Sequence, residues 1–127
     1  MKSTTILKTP LEVELFQNEQ IASENKFSKT IIDAVDNSLS SFHNLDKQEI
    51  YFTLEKTFKI AKKDIPWKIK GFTKALEKMF GAGAKVIEIR IIEAIHDKLK
   101  DFRFFPTKND ISFEEYLTSV RDFLLKT

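Results

Sequence analysis

This chain has no cysteine. That removes disulfide staples, thiolate zinc sites and cysteine nucleophiles, and it agrees with an expected place in a reducing cytoplasm. Glycine and proline are scarce, three of each in 127 residues. A turn-rich β-sandwich needs a turn signal every ~8–12 positions, so the scarcity argues against that class. Long apolar runs are missing as well. The most apolar stretch, residues 86–95, is broken by Glu88, Arg90 and Glu93, far short of the ~20 apolar residues of a membrane span. The first twenty residues carry Glu12, Glu14 and Glu19 and lack a continuous apolar core, so no secretory signal is expected.

What the chain does have is core material: 42% hydrophobic residues, including twelve phenylalanines. A chain of this length fits one domain, which buries roughly two thirds of the surface its unfolded form exposes. The apolar residues recur at helical spacing. Phe27, Ile31, Val35, Leu39 and Phe42 predict a helix over about residues 24–42. Ile50, Leu54 and Phe58 predict a second over 46–59, opened by Asp46 with Glu49 three residues on. Phe72, Leu76 and Phe80 mark a third over 67–80, preceded by Pro66, which disfavours helical geometry at Ile65. Gly71 inside this helix suggests close packing or a bend. A fourth, over 84–100, is apolar on several sides (Val86, Ile87, Ile89, Ile91, Ile92, Ile95), which predicts a central position. Ser112 and Glu115 form a second capping pair, opening a last helix striped by Phe113, Leu117, Val120 and Leu124. Phe102, Phe104 and Phe105 lie in an aromatic connector expected to seal the core.

The fold predicted is therefore all-α: a compact single-domain bundle of about five helices with a central apolar helix. Phe58, Leu76, Phe80, Ile87, Ile91 and Ile95 are the expected core. Residues 1–22 read as an N-terminal arm, loosely docked or forming an extra helical turn, or as the end of a linker, and 23–127 as the helical domain. Within the arm, Leu11, Val13 and Leu15 alternate with Glu12 and Glu14, a strand-like period with no obvious partner strand.

Charge is nearly balanced overall, +2, but unevenly placed. Residues 1–45 carry four basic and six acidic side chains, and residues 46–100 carry thirteen and eight. The positive excess is densest over residues 56–78, where eight lysines face Asp64 and Glu77 alone. Lys59, Lys62, Lys63, Lys68 and Lys70, with Trp67 among them, are the candidate contacts for phosphates and bases. The same lysines also suit a plain solvated face, and arginine, preferred at base edges, is absent from the segment.

Catalytic and metal sets are not found. His43 and His96 are the only histidines, and two histidines without cysteine make a poor ligand set. The carboxylate pairs Asp33/Asp36 and Glu114/Glu115 sit on polar helix faces, and Ser38, Ser40 and Ser41 lack a nucleophile motif. Gly81-Ala82-Gly83-Ala84-Lys85 is too short for a phosphate-binding loop and follows a helix, so it reads as a tight turn. Gly81 is placed as a helix cap with positive φ, and Gly83 for close backbone approach. No enzyme activity, cofactor or metal is expected.

The strings at residues 50–58, 60–66 and 72–87, above all Phe80-Gly-Ala-Gly-Ala-Lys85 and Asp64-Ile-Pro66, resemble a small archaeal domain family. It is the family named as an output domain of Nitrosopumilus signalling proteins, and the resemblance covers about residues 27–99. That family usually has glycine near position 59, where this chain has Lys59. The resemblance implies a mostly helical module without an assigned activity. The function expected is thus a non-enzymatic regulatory or signal-output module acting through a protein partner or self-association. Leu11, Leu15, Trp67, Phe104 and Phe105 would supply the docking surface. Nucleic-acid binding through residues 56–78 is the alternative.

Overall fold

The computed structural model describes residues 10–103 and 112–126, with side chains from residue 21 onward. Among these residues the elements are all helical: α1 (Pro10–Ser40), α2 (Lys47–Thr57), a 3-10 turn (Lys62–Trp67), α3 (Ile69–Phe80), α4 (Gly83–Lys98) and α5 (Phe113–Lys126). The predicted all-α bundle is what forms. No helix of the described residues is long and apolar enough to cross a membrane.

α1 is the organising element. Phe27, Ile31, Val35 and Leu39 repeat every fourth residue and are all buried, with Ala34 filling the same face. This stripe packs on α4, the 3-10 turn, α5 and α2. Residues 11–15, strand-like in period but without a partner strand, lie within α1. Pro10 is the first residue of the helix, where its fixed φ suits helical geometry and its missing N–H costs no bond. Acidic residues near that end also suit the positive pole of the helix dipole. A three-residue alternation without a partner strand does not compete with a helix already in register.

α2 opens as expected. The Asp46 carboxylate accepts from the backbone N–H groups of Gln48 at 3.1 Å and Glu49 at 3.3 Å. It ends at Thr57, after which the chain turns back sharply. The Ile60 N–H donates to the Leu54 carbonyl at 2.9 Å, seating the Ile60 side chain in the core. That reversal places Lys59 at φ 61°, the one non-glycine residue with positive φ among those described. A Cβ there is crowded by the carbonyl, at about 1–2 kcal/mol. Glycine avoids the clash but gains chain entropy when unfolded. Lys59→Gly is therefore expected to raise stability by about 0.5–1 kcal/mol. Urea denaturation checks this, and a loss of stability would show that the Lys59 stem contributes packing.

The boundary expected at Asp64-Ile65-Pro66 is corrected. Ile65 and Pro66 lie inside the 3-10 turn, and α3 starts at Ile69. Ile65 is fully buried, and that burial outweighs the local bias of a pre-proline residue against helical geometry. Gly71 does permit close packing: a Cβ at this position would sit 3.3 Å from Ile60 Cδ1.

α4 is less enclosed than its apolar circumference predicted. Ile87, Ile91 and Ile95 are buried against α1 and α3, while Val86 and Ile89 are about half exposed. α1 and α3 supply most of its packing, and α1 takes the central role instead. Leu76 is buried as expected, but Phe58 and Phe80 are only partly buried, because each sits at a helix end on the rim of the core. In the connector, Phe102 is buried and meets Tyr116 and Phe123 edge-on at 5.8 and 5.2 Å. Phe104 and Phe105 lie outside the described residues.

Candidate functional site: a tryptophan groove beside the lysine-rich segment

Three elements meet around Trp67, the last residue of the 3-10 turn. Phe27 of α1 lies against it, ring centroids 5.5 Å apart and tilted by 58°. The Arg121 guanidinium of α5 sits 5.6 Å from the Trp67 centroid. Pro66 and Leu117 extend the apolar surface, and the whole forms an open groove of about 240 Å³. Trp67 remains 46% exposed. On α5, Glu114, Leu117, Thr118 and Arg121 line the groove because their spacing of three, one and three residues places them on one helical face. Lys68 and Lys70 supply the opposite rim.

The candidate lysines divide. Lys68 and Lys70 reach the groove, and the Lys68 ammonium donates to the Lys59 carbonyl at 3.4 Å. Lys62 is drawn away: it donates to Asp36 at 3.2 Å and lies 4.6 Å from the Tyr51 ring centre. Lys59 and Lys63 are exposed and do not line the groove. Phe27, Glu114, Leu117 and Arg121 escaped sequence reading, since nothing local signals that positions 27, 67 and 121 converge. Arg121 does stand on the polar side of a strongly striped helix, which was the one available cue.

Asp36 belongs to a structural cluster instead. It accepts from Lys47 at 3.1 Å, from Lys62 and from the Tyr51 hydroxyl at 3.1 Å. Burial pushes its carboxyl up, but the bonds from Lys47, Lys62 and Tyr51 outweigh burial and hold it below the usual carboxylate range. The Tyr51 hydroxyl is pushed up by burial and by the Asp36 charge. Asp33 is likewise lowered, chiefly by its hydrogen bond from Lys29, with Lys98 adding to it. His96 packs its ring against Phe102 and Tyr116. No cluster of metal-ligating side chains occurs among the described residues.

The Gly81–Gly83 segment is a helix–helix turn. Gly81 has φ 57° and ψ −127°, the dihedral pair of the first central residue of a type II′ turn, and its N–H donates to Glu77 at 2.8 Å. The close-approach role expected of Gly83 is corrected. A Cβ there would meet only Phe80 Cβ, at 3.6 Å, an ordinary contact.

Glu88 on α4 is a buried carboxyl that sequence reading treated as a mere interruption of an apolar run. It is 4% exposed, Lys85 approaches Oε1 at only 3.8 Å, and Oε2 has no hydrogen-bond partner. Burial raises its pKa, Lys85 partly offsets this, and Glu77 adds to the rise. A carboxyl whose pKa rises on folding favours the fold in its protonated form. Its contribution is present at low pH and is lost as pH climbs through the folded-state pKa. Glu88→Gln is therefore expected to raise the melting temperature at pH 7, with the gain vanishing near pH 4. Thermal melts of both proteins across that range check it; a constant difference would place the effect in packing rather than ionisation.

No known protein family, curated protein or solved structure matches this chain.

Proposed function

We propose that this chain is a non-enzymatic regulatory module that acts by docking a protein partner in the Trp67 groove. The observation carrying this reading is a half-exposed tryptophan, the residue type most enriched at binding hot spots, set in an open groove lined by α1, the 3-10 turn, α3 and α5. The nucleic-acid alternative draws less support from the geometry. Of the five candidate lysines, Lys59, Lys62 and Lys63 do not line the groove. Lys62 is also spent on Asp36.

The test is a photo-crosslinking amino acid at Thr118, in the groove, with one at Val86, on the exposed face of α4, as control. Protein adducts from position 118 that disappear in Trp67→Ala support the reading. Adducts that a nuclease removes, or equal yields from both positions, overturn it.

A further inference from the structure

The partner chemistry follows from the rim of the groove. Three cations, Lys68, Lys70 and Arg121, surround an opening whose single carboxylate is Glu114. Beneath them the exposed apolar surface is Trp67, backed by the buried Phe27 and Leu117. A volume of about 240 Å³ admits one large side chain and not a helix laid lengthwise. Taking the docking role of this groove as given, we infer that its occupant is a short acidic segment of a partner protein with one aromatic or branched aliphatic anchor. The anchor packs on the exposed part of Trp67, and carboxylates on either side pair with Arg121 and with Lys68 or Lys70.

Arg121 is the pivotal residue. It lies 5.6 Å from the Trp67 ring centre, within cation–π range, and its N–H groups can grip a carboxylate. A preordered arginine loses less freedom on binding than a free surface lysine, which favours a bidentate carboxylate partner at this position. The lysines add long-range attraction that speeds encounter with an acidic segment and weakens with salt.

The test pans the full chain against a phage library of random dodecapeptides, with Trp67→Ala and Arg121→Glu as parallel baits. Enriched peptides are synthesised and titrated while following fluorescence of Trp67, the only tryptophan in the chain. The expected result is enrichment of peptides with one large apolar residue flanked by Asp or Glu. Affinity should fall about tenfold or more in Arg121→Glu, and likewise when the peptide anchor becomes alanine. Far-ultraviolet circular dichroism confirms that both variants fold, and Arg121→Lys serves as the milder change, with partial loss expected. Enriched peptides that are neutral or basic but still need Trp67 would overturn the acidic-segment assignment and leave the docking groove standing. Enrichment of nothing, or only of peptides that bind Trp67→Ala equally, would remove both. A thymidine oligonucleotide that quenches Trp67 more strongly than any peptide would also remove both, in favour of nucleic acid.

Discussion

Replacing Ile91 with alanine is expected to lower the unfolding free energy by about 2–5 kcal/mol. Ile91 has no exposed surface and lies in the seam where α4 meets α1. Truncation removes three methyl or methylene groups from a site framed by rigid helices, so the loss combines the transfer term with an unfilled cavity. Ile89, two residues earlier on the same helix, is 55% exposed. Ile89→Ala should stay within about 0.5 kcal/mol of the parent, since it opens no cavity and alanine is the better helix former. Urea denaturation of the pair gives a direct reading. Equal losses would mean that α4 is covered on the Ile89 side as well, and that the packing described for this helix is incomplete.

Gly81→Val is the second large effect, a destabilisation of about 1–3 kcal/mol or more. The cause is conformational rather than steric crowding by neighbours, for nothing lies within 4 Å of a Cβ built at this position. At φ 57° and ψ −127° the backbone of a β-branched residue is strained whatever the surrounding space. Relief requires the turn to open, and the turn fixes how α3 packs on α4. Gly83→Ala is the matched control. It stands at the start of α4 with ordinary room for a methyl group, so stability should hold or rise slightly. If Gly83→Ala proves as damaging as Gly81→Val, the turn geometry is not as described.

The α-helical class and most of the core were legible because the signal is periodic. Phe27, Ile31, Val35 and Leu39 mark α1, and Leu76, Ile87, Ile91 and Ile95 mark the buried sides of α3 and α4. Periodicity gives a buried face but not how much of a circumference the neighbours cover, which is why Val86 and Ile89 made α4 read as central. Local rules failed where tertiary burial was the stronger term, as at Ile65 and Pro66. The lysine-rich segment was visible as composition. Its division was not, because Lys62 is captured by Asp36 from 26 positions away. The groove was half legible for the same reason: Trp67 stands out in any reading, whereas Phe27 and Arg121 become its neighbours only once α1 and α5 are folded against the 3-10 turn.

α1 has one further mechanical consequence. At 31 residues it is about 46 Å long, nearly twice the length of about 24 Å for α4 beside it. A continuous hydrogen-bonded helix behaves as a stiff rod, and Phe27, Ile31, Val35 and Leu39 seat this one against the bundle. The Phe27 ring bears on Trp67. A shift of α1 against the 3-10 turn therefore registers as a change in the surroundings of a single indole.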